Sequence, residues 1–214
     1  MKKLCLLLGL LVALPAAAQV VADTVTVGTT SAAAGSTVDV PVFIRDASGT
    51  PLGIDQPPGS RIQSYALTVN YAPTASVQAI TFTRAGITAS LTPAFESSPS
   101  TAGSISLLDT FQESTNLIPF TLNAPLPGNQ VAVLHVTVSP TATVGSTITL
   151  TLDPTLTQLT YQGGSASTKE SVANANLVLV SGAINVTTPV PALSTWALAL
   201  LGMALGVIAA IRVK

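Results

Sequence analysis

Hydrophobic and polar positions alternate with period two over most of this chain. Val38, Val40, Val42 and Ile44 fall on one face of a run whose other face carries Asp39, Pro41 and Phe43. Tyr65, Leu67, Val69 and Tyr71 alternate with Ser64, Ala66, Thr68 and Asn70. The same pattern places Ala132, Leu134, Val136 and Val138 opposite Val133, His135 and Thr137, and Ile148, Leu150 and Leu152 opposite three threonines. Successive strand residues point to opposite sides of a sheet, so each run predicts a strand with one buried and one wet face. Further strands are expected over 24–28, 77–84, 104–111, 156–162 and 176–186. Turn residues separate them: Ala34-Gly35-Ser36, Gln56-Pro57-Pro58-Gly59, Pro125-Leu126-Pro127-Gly128 and Gly163-Gly164. Nine short strands in about 170 residues predict one all-β domain, a β-sandwich.

The two ends break this pattern. Lys2 and Lys3 precede an apolar run from Leu4 to Leu14, and Ala16-Ala17-Ala18 stands before Gln19. This arrangement predicts a secretory signal peptide over 1–18, cut between Ala18 and Gln19. Cys5, the one cysteine, would leave with it, so no disulfide or thiolate chemistry is expected of the mature chain. At the other end, Trp196 to Ile211 is unbroken apolar or glycine sequence, followed by Arg212 and Lys214. Leu193 to Val213 is long enough to span a ~30 Å hydrocarbon core as a helix. The terminal cations would remain on the cytoplasmic side, with the preceding domain outside. Gly202 and Gly206 form a GxxxG pair on that helix, a weak helix-packing signal.

Pro191-Ala192-Leu193-Ser194-Thr195-Trp196 followed by an apolar helix and a basic end resembles the C-terminal sorting signals of the PEP-CTERM type. Its nearest form is the variant reading Ile-Pro-Thr-Leu-Ser-Glu-Trp, with Pro191, Leu193, Ser194 and Trp196 carrying the motif. The resemblance implies recognition and removal or transfer of the tail by an exosortase-type membrane protease. The expected organisation is then a signal peptide 1–18, a sandwich 19–187, a linker 188–192 and a sorting and membrane segment 193–214. The protein would cross the inner membrane, be held there at least transiently, and finish at the cell surface or outside it.

Between these ends, nine acids face only Arg45, Arg61, Arg84 and Lys169, a net charge of −5. A nucleic-acid partner is not expected, because binding there rests on a basic surface that releases phosphate counterions.

The order of features over residues 23–187 resembles a cohesin domain, the nine-stranded jelly-roll sandwich of the carbohydrate-binding-module superfamily. Gly35-Ser36-Thr37-Val38-Asp39-Val40-Pro41-Val42 is similar to the opening of that family. Leu67-Thr68-Val69-Asn70-Tyr71-Ala72-Pro73 is similar to its strand before a Tyr-Asp-Pro turn, with Ala72 replacing the Asp. Ala142 to Ser146 and Gly182 to Val186 are similar to its late turn and closing strand. The resemblance implies a non-catalytic module that binds a protein partner, dockerin-like or another envelope protein. The implied contact strip is Ser64, Ala66, Thr68 and Asn70. A direct role on polysaccharide is the alternative. Tyr65 and Tyr71 point to the core by alternation, so the row of exposed aromatics that sugar binding favours is missing.

Catalytic and metal chemistry find little support. His135 is the sole histidine and is expected on an outer face. Without a second histidine or a cysteine, no zinc cluster can be assembled. Glu96, Asp109 and Glu113 fall in one region, but nothing in the sequence sets the separation that glycoside hydrolysis requires of two carboxylates. Asp46 and Asp55 lie in one loop without the alternating acids of a calcium loop, so an Asx turn is expected there. Asn185-Val186-Thr187 fits a glycosylation sequon inside an expected strand. No catalytic residue, metal or cofactor is assigned.

Overall fold

The computed structural model describes residues 21–163 and 166–189. The expected signal peptide with Cys5 and the expected cleavage point between Ala18 and Gln19 lie outside the described residues. So do the expected membrane segment with its Gly202–Gly206 pair and the sorting-motif residues Pro191, Leu193, Ser194 and Trp196.

Among the described residues fourteen strands form two sheets: β1 (Asp23–Val27), β2 (Thr29–Ala33), β3 (Thr37–Arg45), β4 (Ser64–Ala72), β5 (Val77–Arg84), β6 (Phe95–Ser97), β7 (Ser100–Thr101), β8 (Ser104–Thr110), β9 (Asn129–Val138), β10 (Thr147–Leu152), β11 (Gln158–Gly163), β12 (Ala166–Glu170), β13 (Leu177–Val180) and β14 (Gly182–Thr187). Five strands make one sheet in the order β13-β1-β3-β9-β5. The other nine run β12-β11-β4-β10-β14-β2, with β8 on the free edge of β4 and β6 and β7 beyond it. The only helical elements among the described residues are three short 3₁₀ turns, and no helix there is long and apolar enough to cross a membrane.

All nine expected strands are present. The last of them divides in two where the chain passes from one sheet to the other, and the first is followed by a further strand, β2, that the alternation does not announce. β1 belongs to the five-stranded sheet and, after Gly28, β2 joins the nine-stranded one; β13 and β14 do the same across Ser181. The two crossings lie side by side, β1 parallel to β13 and β2 parallel to β14. A Cβ placed on Gly182 would stand 2.0 Å from the Gly28 carbonyl oxygen and 2.7 Å from that of Val27. Only glycine lets the two backbones pass this close.

The alternation gives the core its sides. Val25, Val40, Val42, Ile44, Leu67, Leu107, Leu134, Val136, Ile148, Leu150 and Ile184 are fully buried between the sheets. In β10 every second residue is buried and its three threonines are exposed. One edge of β4 pairs with β8 over Ser64 to Asn70. The other edge is shared end to end by β11, opposite Ser64–Ala66, and β10, opposite Val69–Ala72. Between them the segment 153–157 leaves the ladder. The Asp153 amide still donates to the Thr68 carbonyl at 2.8 Å, and the Thr157 hydroxyl bonds to the same carbonyl at 3.3 Å.

Candidate binding face

β4 is the central strand of the nine-stranded sheet, so its outward side chains sit in the middle of that face. The structure brings Ser64, Ala66, Thr68 and Asn70 together as the alternation expects, but they are not equally accessible. The Ser64 hydroxyl is 2.5 Å from that of Thr160, on β11. Thr68 is 3% exposed, its hydroxyl 2.8 Å from that of Ser106 and its amide 3.3 Å from Thr157 Oγ1. Thr68, an expected contact residue, is thus buried within the face, with the Ser106 hydroxyl of β8 against its own and Thr157 bonded to its backbone along the strand edge. Asn70 Nδ2 donates to Asp153 Oδ2 at 3.2 Å.

Ala66 is different. Its methyl leaves room for a concavity of about 340 Å³ among Ser64, Phe95, Leu108, Gln158, Thr160 and Lys169. A small residue in mid-strand, flanked by longer ones on β8 and β11, turns a flat sheet into a dent. Phe95 is 56% exposed on one side of it, and Lys169 places an exposed cation on the opposite side, across β8, β4 and β11. Apolar wall, polar floor and a cation at the rim suit an inserted apolar side chain with an acidic or carbonyl neighbour. Neither Phe95 nor Lys169 is in the expected strip, because β6 and β12 carry no legible alternation.

The charges around this face are mostly occupied. Asp153 accepts hydrogen bonds from the Thr155 hydroxyl and amide, the Leu156 amide and Asn70, led by the Thr155 hydroxyl, and its carboxyl is held down at about 2. Arg84 Nε meets Glu96 Oε2 at 2.5 Å, and its Nη1 donates to the carbonyls of Thr88 and Leu91. Asp109 is buried in the core side of β8, directly across from Tyr65 on β4. Burial pushes its carboxyl up to about 6 and pushes the Tyr65 phenol up as well. Both carboxylate oxygens of Asp109 and the Tyr65 hydroxyl are buried without a well-formed hydrogen bond.

The other sequence candidates separate. Glu96 and Asp109 are cross-strand neighbours, but one is tied to Arg84 and the other is shut into the core. Glu113 accepts from the Gly59 amide at 2.8 Å elsewhere. These acids do not face each other across a cleft. His135 lies on the outer face of the five-stranded sheet, between Asp39 Oδ1 at 2.6 Å from Nδ1 and Thr83 Oγ1 at 2.8 Å from Nε2. With Nδ1 donating to the carboxylate, Nε2 is left to accept from the hydroxyl. The three groups have the order of a nucleophile relay. All three side chains lie exposed on the open face of the sheet, Thr83 on β5, its terminal strand. Asn185 is exposed on β14 and its carbonyl accepts from Thr147 at 3.3 Å. The Asx turn expected at Asp46 is replaced by a longer reach: Asp46 Oδ2 accepts from the Ile54 amide, and the Ser48 amide donates to Asn123 instead. Tyr65 is buried, Tyr71 packs on the core, and Tyr161 lines a separate recess with Arg61 and Glu113.

Comparison with known proteins separates the two parts of the chain. Residues 188–214 match the IPTL-CTERM motif. No curated protein is detectably similar in sequence. Among solved structures, the chain is similar to the third cohesin of ScaC from Acetivibrio cellulolyticus, solved in complex with the ScaB dockerin. The TM-score is 0.55 at 21% identity, over 78% of this chain and 99% of that one. It is also similar to the seventh ScaB type I cohesin from Pseudobacteroides cellulosolvens, with a TM-score of 0.52 at 16% identity, over 79% of this chain and 95% of that one. At these identities the likeness establishes the fold: the sandwich is a cohesin-type β-sandwich followed by an IPTL-CTERM motif.

Proposed function

We propose that this chain is an exported, surface-directed binding module that docks a protein partner on the outward face of its nine-stranded sheet. The observation that carries this reading is the dent over Ala66, walled by Phe95 and Leu108, in the centre of a face otherwise made of small hydroxyl and amide side chains. A partner's apolar side chain seated there would be desolvated at the centre of the contact, where binding energy concentrates. The fold supports the reading, and the Acetivibrio cohesin it resembles is seen in complex with a dockerin. The module is read as non-catalytic, set in extracellular polysaccharide assembly or breakdown. Direct binding of polysaccharide is less favoured: Phe95 is the one exposed aromatic among the described residues, and a single ring makes no stacking row.

Replacing Ala66 with arginine fills the dent, and replacing Phe95 with aspartate removes its apolar wall. Each variant is expected to lose at least tenfold of partner recovery from host envelope extract, with unchanged thermal unfolding. Recovery equal to wild type from both would place the interface elsewhere. Binding of insoluble polysaccharide with no protein recovered would favour the sugar-binding reading.

The same proposal assigns 1–18 to export, 19–187 to the binding domain, and 188–214 to linker and sorting signal. An exosortase-type protease would act near Pro191, Leu193, Ser194 and Trp196, after the membrane helix has held the chain in place. Intact mass of the protein from its native host is expected to begin at Gln19 and to lack Trp196 to Lys214. A mass that retains those residues would leave a plain membrane anchor.

A further inference from the structure

Thr160, beside the Ala66 dent, and Tyr161 are successive residues of β11 and point to opposite sides of the sheet. On the Tyr161 side, at the end of the sandwich where β4 begins, lies a second concavity of about 760 Å³. β14 runs out beside the start of β10, and β10 pairs with β4 at its Ala72 end. The IPTL-CTERM match begins at residue 188, directly after β14. It therefore follows on from the other end of the sandwich, about 26 Å from the recess along the nine residues of β4.

The walls of the recess hold one another in place. The turn Pro57–Ser60 is closed by the Ser60 amide on the Pro57 carbonyl at 3.0 Å. Within it, the Gly59 amide donates to both oxygens of Glu113, at 2.8 and 3.1 Å. A Cβ on Gly59 would stand 3.4 Å from the Tyr161 hydroxyl, so the turn also packs on that ring. Arg61 Nε donates to the Gln56 carbonyl at 3.2 Å, which sets the plane of the guanidinium. Arg61 and Glu113 line the same recess but do not pair, since the two ion pairs among the described residues lie elsewhere. Gln63 and Gln112 add two amides, and Pro58 and the part-exposed Leu117 add apolar surface.

A fixed anion and a fixed cation in one recess disfavour an ionic ligand of either sign, because one of the two repels it. A neutral ligand with many hydroxyls uses both. Glu113 accepts from a hydroxyl, Arg61 donates to hydroxyl oxygens, and the glutamine amides do either. The Tyr161 ring, Pro58 and Leu117 offer apolar surface to the C–H face of a sugar ring. An extended peptide finds no strand edge to join here, because β11 pairs with β12 and β4, and β4 with β8 and β11. The volume suits about one or two sugar units entering end-on, a mode that needs no row of aromatic rings.

We propose that the recess between Arg61, Glu113 and Tyr161 holds the terminal unit of a neutral glycan. It is a second site, behind the sheet that carries the Ala66 dent and at the end of the domain remote from the IPTL-CTERM motif.

Saturation-transfer NMR tests the site on the full chain, in a detergent without a sugar headgroup. The probes are neutral tetrasaccharides of glucose, galactose, mannose and xylose. At least one is expected to bind, with saturation strongest on one terminal unit and weakest on the inner ones. This map is read on the wild type and does not depend on how any variant folds. Arg61→Gln and Glu113→Gln each remove a charge and keep a hydrogen-bonding group. Each is expected to weaken that binding about tenfold or more, with an unchanged unfolding midpoint. Binding of none of the four sugars, saturation spread evenly along the chain, or full affinity in both variants overturns the proposal. So does equal binding of tetragalacturonate, which would show that the recess does not select a neutral ligand. None of these outcomes depends on whether Ala66 lies in a protein interface.

Discussion

Replacing Gly182 with alanine is expected to destabilise the domain by about 3 kcal/mol or more. The added methyl would sit 2.0 Å from the Gly28 carbonyl oxygen and 2.9 Å from its carbon. The obstacle is backbone, not the end of a flexible side chain, and both backbones are fixed by parallel pairing on either side of the crossing. Overpacking a tolerant core costs about 1–3 kcal/mol, and here neither partner can turn away. Gly145 supplies the contrast. It has φ +84 but nothing within 4 Å of an added Cβ, so alanine there should cost only the ~1–2 kcal/mol of a left-handed backbone. Urea unfolding followed by circular dichroism compares the two. A Gly182 variant no weaker than the Gly145 variant would mean that the terminal strands do not cross as closely as described.

Replacing Asp109 with asparagine should stabilise the domain, and only above about pH 5. The wild-type carboxyl is raised from the ordinary 3.8 to about 6, first by burial. The folded state thus holds its proton more tightly than the unfolded chain, and stability falls as pH rises from about 4 to 6 and stays low beyond. Two pKa units correspond to at most about 3 kcal/mol; the asparagine amide must itself be buried, so about 1–2 kcal/mol is the expected gain at pH 8. Near pH 4 both forms are neutral and the difference should vanish. Unfolding free energies of the two proteins at pH 4.5 and pH 8 provide the check. A variant weaker than wild type at pH 8 would show that the charged form of Asp109 supports the fold, through Arg84 or the Tyr65 hydroxyl.

The strands that can be read from the sequence are those with two different faces. β3, β4, β9 and β10 each bury alternate large apolar residues, and the side of each that meets the core follows from that alone. β6, β7 and β12 are short pieces such as Ser100–Thr101, at or near the margin of a sheet, with no apolar side to announce them. Phe95 and Lys169 ride on two of those pieces, which is why half of the dent over Ala66 was not foreseen. The sheet switches at Gly28 and Ser181 were also hidden, since a strand that changes sheets keeps its alternation. Thr68 shows the limit from the other side. Its outward direction was legible, but its burial comes with neighbours such as Ser106 and Thr157, which lie 38 and 89 positions later in the chain.

The central claim is that the face around Ala66 is where a partner sits. A photo-cross-linking amino acid placed at position 66, and separately at Gln158, in the protein expressed in its native host tests this with least disturbance. Both positions should form an adduct with the same envelope protein. The same group at Thr81, exposed on the opposite sheet, should form none with it. An adduct from position 81 but not from 66 or 158, or no protein adduct at all from the latter two, would contradict the account.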